Sequence, residues 1–417
     1  GRHFDCIFDK FVSAYRKSFS CENVLVSLLE MWRNALDKDM AVGAVLMDLS
    51  MAFDCLPHKL LIAKLNAYKI DEMSCSLLAS YLTNRRQRTK VGNEKSTWGI
   101  PDRGIPQGSG LGPLIFNIFM NDLFFFINDC TLLNYADDNT LTSFDKCIDN
   151  VIRNLTIDSQ KAINWFTENH MRANPSKFQV IFLKSRWNKH ITLPTNFSLF
   201  SESIPISSEV KLLGVHIDAN LTFDKHISIL CSKAANQVNA LKRTKISLTL
   251  NNRHLVLNSF ILSNFNYCPL VWHFCGTENT KKMEKIQKRA LRVIYDDKSS
   301  PYEELLKIAN HDSLTISRIK KFALEMFKIT NNYAPAFMND LVTLKENQYT
   351  LRNDFCALPK ISTTTFGLRS FTYYGAHIYN MIPRDFKNAE SVLDFKRLLS
   401  TWAGPKCFCN SCCILGN

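Results

Sequence analysis

Thr131-Leu132-Leu133-Asn134-Tyr135-Ala136-Asp137-Asp138-Asn139-Thr140-Leu141-Thr142-Ser143 holds two short runs rich in β-formers, 131–135 and 139–143. A polar turn joins them, so the segment predicts a hairpin with two adjacent carboxylates at its tip. Upstream, the apolar run from Val42 to Leu49 has the length and composition of a buried strand, and Asp48 stands at the end of that strand. A carboxylate closing a buried strand is costly unless something pairs with it. Hard divalent cations such as magnesium pair well, because they take oxygen ligands and keep room for phosphates. Two such ions about 3.5–4 Å apart stabilise both the attacking and the leaving oxygen of an in-line phosphoryl displacement. That chemistry needs carboxylates on rigid neighbouring strands. Taken alone, Asp137-Asp138 reads equally well as an ordinary polar turn.

Working outward, residues 20–37 predict a helix, with Val24, Leu25, Leu28, Leu29, Trp32 and Leu36 at helical spacing. Pro57 opens a second helix carrying Leu60, Leu61, Leu65 and Tyr68, and a third covers about 73–83. Asp54 is expected to cap the helix after Pro57. A basic segment, Asn84 to Lys90, leads to a turn at Gly92-Asn93. After a Gly- and Pro-rich stretch, residues 99–113, the chain enters an apolar helix over 111–127. A helix over 149–170 and a strand over 178–184 follow the acidic hairpin, with one strand pair near 193–217. Residues 224–297 read as helical and basic. Beyond a composition shift at 298–301 lies a mixed region with helices near 301–309, 314–331 and 391–402.

At 417 residues the chain is long enough for two or three domains, and 46% hydrophobic with 21% charged residues is ordinary for a folded protein. The formal net charge of +13 favours polyanionic partners, nucleic acid before acidic membrane. Asn117, Asn121 and Asp122 interrupt the most apolar stretch, which argues against a bilayer span. With no signal-peptide pattern and 14 scattered cysteines, the expected setting is intracellular, in nucleus or cytoplasm. P-loops, dinucleotide fingerprints, histidine metal motifs and Ser-His-Asp triads are not found. Gly108-Ser109-Gly110 lacks the elbow and the base a serine nucleophile requires. Cys407, Cys409, Cys412 and Cys413 lie close together but depart from the usual zinc spacing.

The acids sit inside larger patterns. Met47-Asp48-Leu49-Ser50-Met51-Ala52-Phe53-Asp54 resembles the first catalytic block of reverse transcriptases. The segment from Arg103 through Gly104, Pro106, Gln107 and Gly108 to Leu114 resembles their second block, and Tyr135-Ala136-Asp137-Asp138 their third. Asn174-Pro175-Ser176-Lys177 resembles the fourth, and Lys211-Leu212-Leu213-Gly214-Val215 the primer-grip region. The segments Asn266 to Trp272 and Phe366 to Phe371 are similar to those of LINE-type non-LTR elements of the jockey-like or CR1-like kind more than of retroviruses. The family places further finger strands, often with an endonuclease, ahead of the point where this sequence begins, so an N-terminally truncated chain is expected. Met51 stands where many relatives carry Lys.

The resemblance implies an α+β, right-hand polymerase: a palm of antiparallel sheet with packed helices, a helical thumb and a mixed C-terminal region. The expected divisions are a fingers remnant at 1–41, palm at 42–222, thumb at 223–298 and a region of unknown role at 299–417. It also implies RNA-directed DNA synthesis, with RNA template, DNA primer and dNTPs as partners and two magnesium ions, or manganese, as cofactors. Asp48, Asp137, Asp138 and the Leu49 carbonyl would hold the metal. Phe53 would exclude a 2′ hydroxyl, although a core Phe at a helix start is the plain alternative. Gln107, Gly108 and Arg103 would meet the incoming nucleotide or the template. Lys177 would protonate or neutralise the leaving pyrophosphate; otherwise it is a solvated lysine. Arg85, Arg86 and Arg88, and later Lys281, Lys282, Lys285, Lys288 and Arg289, would track phosphates. In the later patch Met283, Ile286, Ala290 and Leu291 are expected to form the apolar face of a helix. The competing readings are an inactive or weak nucleic-acid-binding remnant and an RNA-copying polymerase with the same metal geometry; Phe53 speaks against the latter.

Overall fold

The computed structural model describes residues 7–200, 202–344, 356–362 and 364–405. They divide into two compact units, one within Gly1–Ser20 and Met40–Ser208, the other within Cys21–Asp39 and Glu209–Asn417.

The first unit is built on a four-stranded antiparallel sheet: β1 (Ala41–Met47), β2 (Thr131–Tyr135), β3 (Asp138–Asp145) and β4 (Gln179–Leu183), in the order β2-β3-β1-β4. All seven residues of β1 are buried, which is why its sequence is an apolar run and not an alternation. The helix Ile148–Glu168 packs on β1 and β3, burying Val151, Leu155, Ala162, Trp165 and Phe166. Each of the larger aliphatic and phenyl side chains contributes about 1.5–3 kcal/mol. A Cβ on Gly43 would lie 2.6 Å from Leu155 Cδ1 and 2.8 Å from Phe182 Cε1, so glycine sets how closely helix and sheet approach. Asp158, fully buried on that helix, accepts from the backbone N–H of Asn128, Asp129 and Cys130 at 3.2, 2.7 and 2.7 Å and so holds the start of β2.

Three expectations are corrected in this unit. The apolar helix runs only over Gly112–Met120 and tightens into a 3-10 turn at Asn121–Phe125. There Lys64 Nζ donates to the Phe119 carbonyl at 3.0 Å, and Asn121 turns its side chain to the backbone of Ile7 and Asp9. Asp54 does not cap the helix His58–Ala67, whose N-cap is Pro57, without a side-chain bond; Asp54 instead faces Gln107. The region 193–217 forms two hairpins, not one pair. Asn196–Leu199 pairs with Glu202–Pro205 here, and Glu209–Leu212 pairs with Val215–Asp218 in the second unit.

The second unit is mostly helical. The helix Cys21–Asp37 buries Leu25, Leu28, Leu29, Trp32 and Leu36. Its buried Glu30 accepts from Phe371 N at 2.7 Å, Thr372 N at 3.3 Å and the Thr372 hydroxyl. Asp37 accepts from Ser362 N and the Thr364 hydroxyl. A Cβ on Gly367 would fall 2.6 Å from Asp37 Oδ1. The segment Phe366–Phe371 is thereby explained as packing against the Cys21–Asp37 helix. Around residues 298–301 the chain makes a turn between helices that remain packed together. Gln287 donates to the Asp312 carbonyl at 2.9 Å and accepts from Tyr302 Oη at 2.7 Å. On the helix Thr277–Tyr295, Met283, Gln287, Ala290, Leu291 and Ile294 are buried, while Ile286 is only half-buried. No helix among the described residues is long and apolar enough to cross a membrane.

Candidate active site

Three acids meet at one end of the sheet because of strand register. Met47, the last residue of β1, lies opposite Asn139 of β3, which sets Asp48 beside Asp138. The hairpin between β2 and β3 is tighter than two exposed acids at a tip suggest. Tyr135 pairs with Asp138, leaving Ala136 and Asp137 as a two-residue turn. Ala136 sits at φ 57°, in the left-handed region that costs most side chains about 1 kcal/mol or more. Two buried asparagines hold it there. Asn134 Nδ2 donates to the Ala136 carbonyl at 2.7 Å and to Asn139 Oδ1 at 2.9 Å; Asn139 Nδ2 donates to the Asp137 carbonyl at 3.1 Å. Their positions flanking the acids were visible in the sequence, but nothing marked them as inward-facing and paired.

Asp138 is exposed as a residue, while its carboxyl feels partial burial and the charges of Asp137 and Asp48. Burial first, then the charges of Asp137 and Asp48, push its pKa up to about 6. Among the described residues no N–H or hydroxyl donates to the Asp137 or Asp138 carboxylate. Asp48, half-buried, has Lys177 Nζ 3.7 Å from its Oδ2. That lysine arrives through a second juxtaposition: Leu49–Ser50 pairs with Arg172–Ala173, and Asn174 N donates to the Asp48 carbonyl at 3.4 Å. The turn Pro175–Lys177 then carries Lys177 back to Asp48. Leu49 itself is buried.

A hard cation fits this donor set: oxygen ligands only, one carboxyl raised by burial and by its neighbours' charge, and too few protein donors to satisfy the charge. Among the described residues no three His, Cys, Asp or Glu side chains close into a ready-made metal cage.

Phe53, on the short helix Ala52–Cys55, is half-buried and stacks on buried Phe116, with centroids 4.2 Å apart and planes at 17°. The loop 103–110 is tied to this element: Gly104 N donates to the Leu56 carbonyl at 2.8 Å, Ile105 N to the Phe53 carbonyl at 2.9 Å. Gly104 has φ +85° and is pressed to Asp54, whose carbonyl oxygen a Cβ would meet at 3.0 Å. Its glycine therefore serves an internal contact. Gly108, φ +81°, has open space where a Cβ would stand. Gln107 is exposed and donates to Asp54 Oδ1 at 3.2 Å. Arg103 is exposed too, with Nε 3.2 Å from the exposed Asp102 carboxylate, a pairing of little energetic weight.

The basic patches fall in separate units. Arg85, Arg86 and Arg88 lead into an exposed hairpin, Lys90–Val91 with Glu94–Lys95, extended by the Gln87–Gly99 bridge. Arg88 lies over the exposed Trp98 ring at 4.5 Å, and Arg85 over Tyr81 at 5.7 Å. In the second unit Lys281, Lys282, Lys285 and Arg289 are exposed and Lys288 is half-buried. Lys281 pairs with Glu278 at 3.0 Å, and Arg289 reaches Asn239. There also the hairpin turn Leu213-Gly214 is latched by Tyr267, whose hydroxyl donates to the Leu213 carbonyl at 2.6 Å. Cys407, Cys409, Cys412 and Cys413 lie outside the described residues.

A family model described as reverse transcriptase (RNA-dependent DNA polymerase) matches residues 2–217. The chain is 28% identical over 272 residues to a probable RNA-directed DNA polymerase from transposon BS of Drosophila melanogaster, covering 63% of this chain and 30% of that protein. It is 23% identical over 299 residues to the RNA-directed DNA polymerase from mobile element jockey of Drosophila funebris, covering 68% and 32%. It thus spans about a third of the length of these relatives. Among solved structures, apo telomerase from Candida tropicalis aligns with 14% identity and a TM-score of 0.42, covering 76% of this chain and 53% of that one. The antiparallel sheet with its acidic end and the match over 2–217 agree: the chain belongs to the reverse transcriptase (RNA-dependent DNA polymerase) family.

Proposed function

We propose that this chain carries the polymerising centre of a retrotransposon RNA-directed DNA polymerase, which joins a dNTP to a DNA primer's 3′ hydroxyl on an RNA template. The observation that carries the reading is the meeting of Asp48, Asp137 and Asp138 at one sheet end, where burial and then the charges of Asp137 and Asp48 raise the Asp138 carboxyl. Asp48, Asp137 and Asp138, with the Leu49 carbonyl, would hold two divalent ions, magnesium or manganese. Such ions, when bound, neutralise phosphate charge and acidify the primer hydroxyl.

This chain's own residues do the rest. Phe53, braced on Phe116, offers a flat wall to the incoming sugar and leaves no room for a 2′ hydroxyl. Gly108 and the exposed Gln107 and Arg103 line an open backbone where nucleotide or template phosphates approach. Lys177, beside Asp48, is placed to offset the charge of the leaving pyrophosphate. Arg85, Arg86 and Arg88 in the first unit, and Lys281, Lys282, Lys285, Lys288 and Arg289 in the second, supply phosphate contacts that add affinity and salt dependence without sequence reading. In the family's terms, 42–222 serves as palm and 223–298 as thumb.

Primer extension on an RNA template with magnesium and dNTPs tests the reading. Extension by the native chain, lost in Asp137→Asn with duplex binding retained, is the expected result. Duplex binding with no extension by the native chain would make it a binding remnant instead. A preference for ribonucleotides would make it an RNA-copying enzyme.

A further inference from the structure

Tyr15 combines two properties that seldom meet in an aromatic residue. Its backbone lies in the left-handed region, φ 59°, and its side chain is 60% exposed. Neither favours folding, since the conformation is strained and the ring buries little. The strain persists because the flanking chain is fixed on every side. The Ala14 carbonyl accepts from buried Asn117 Nδ2 at 2.6 Å. Ser13 N donates to the Asn134 carbonyl and Asn134 N to the Phe11 carbonyl, so the segment is stitched to β2. Arg16 donates to the Val12 carbonyl at 2.8 Å and lies over the Phe19 ring at 4.3 Å. What this over-determined turn accomplishes is to aim one ring at another: Tyr15 meets Phe53 edge-on, centroids 6.4 Å apart and planes at 87°. Phe53 is thereby held between the buried Phe116 ring, stacked on it, and the exposed Tyr15 ring.

We propose that Tyr15 is a positioning residue for sugar selection, fixing the Phe53 ring so that it stands rigidly against the 2′ position of the incoming nucleotide. The inference rests on the sugar-wall role given to Phe53 above. Without Tyr15, Phe53 keeps its stacked partner and loses its perpendicular one, so it can tilt and admit a 2′ hydroxyl. An edge-to-face aromatic pair of ordinary strength corresponds to about a threefold to tenfold change in discrimination.

The test is the ratio of kcat/KM for dATP to that for ATP in the native chain, Tyr15→Phe, Tyr15→Gly and Phe53→Ala, beside each protein's Tm. Glycine is unstrained at this φ, so Tyr15→Gly is expected to fold with a Tm close to native. Its ratio should fall about threefold to tenfold, through a rise in kcat/KM for ATP, while Tyr15→Phe holds the native ratio. For a slowly extending chain, the ratio is read as equilibrium binding of dATP against ATP on a dideoxy-terminated primer–template. An unchanged ratio in Tyr15→Gly, or equal losses for both nucleotides, overturns the proposal. If Phe53→Ala relaxes the ratio and Tyr15→Gly does not, only this inference falls. If Phe53→Ala also leaves it unchanged, the reading of Phe53 itself has failed.

Discussion

Two groups of acidic side chains in this molecule have opposite surroundings. In the second unit, Glu30 is wholly buried but accepts two backbone N–H bonds and a hydroxyl, with the Arg33 guanidinium contributing favourable charge. Asp37 is likewise met by Ser362 and Thr364. In the first unit, Asp137 and Asp138 receive no donor among the described residues, and Asp138 carries the charges of Asp137 and Asp48 nearby. Acids that hold a fold are surrounded by donors. Acids left to repel each other at a sheet end raise the energy of the fold, and a ligand of opposite charge recovers it.

The contrast can be broken most sharply at Asp48. Asp48→Asn should slow primer extension on the order of a thousandfold, about 4 kcal/mol of transition-state stabilisation, while the urea unfolding midpoint stays at or above the native value. A large fall in that midpoint would make Asp48 a structural acid like Glu30. The reverse experiment is Glu30→Ala, which strands the Phe371 and Thr372 N–H groups and the Arg33 charge in the core. It should cost about 3 kcal/mol or more in urea denaturation of the whole chain. Loss of less than about 1 kcal/mol would show that the donors around Glu30 find water.

A smaller effect concerns the latch on the Leu213-Gly214 turn. Tyr267→Phe removes one hydrogen bond to the Leu213 carbonyl and should cost about 1 kcal/mol. If the unfolding free energy is unchanged, the turn is held by Gly214 and its hairpin alone. The gentlest probe is pH, in metal-free protein. Asp138 has a folded pKa of about 6 against an ordinary 3.8, so between those values the folded state binds the extra proton. The contribution of Asp138 to stability is therefore greatest below about 4 and is lost as pH rises through about 6. Asp138→Asn should flatten that slope and raise Tm at pH 8; an unchanged slope would place the titration elsewhere.

Much of the first unit was legible because its signals are local. The apolar run of β1, the Pro57 helix start and the turn at Asp137 each announce themselves within ten residues, and the acids could be recognised at the strand ends. What stayed hidden depends on distant partners. Nothing near Asn134 or Asn139 says that both turn inward to clamp Ala136, and nothing near Glu30 points to Phe371, 341 positions on. The helix Phe371–Met381 escaped because its Phe-Thr-Tyr-Tyr-Gly start has poor helix propensity; its Ser370 cap and the packing of Gly375 on Met326 decide it. The apolar run after Leu111 looked longer as a helix than it is, since Lys64, which takes the Phe119 carbonyl, comes from another element. Asp54 looked like a helix cap because the sequence shows its distance from Pro57 but not the Gln107 amide that claims it.

Manganese titration followed by electron paramagnetic resonance examines the acid cluster without relying on turnover. Saturable binding to the native chain is expected, weakening as pH falls through about 6 and lost in both Asp48→Asn and Asp137→Asn. Equal affinity in all three proteins would contradict the assignment of these acids as a metal-binding polymerase centre.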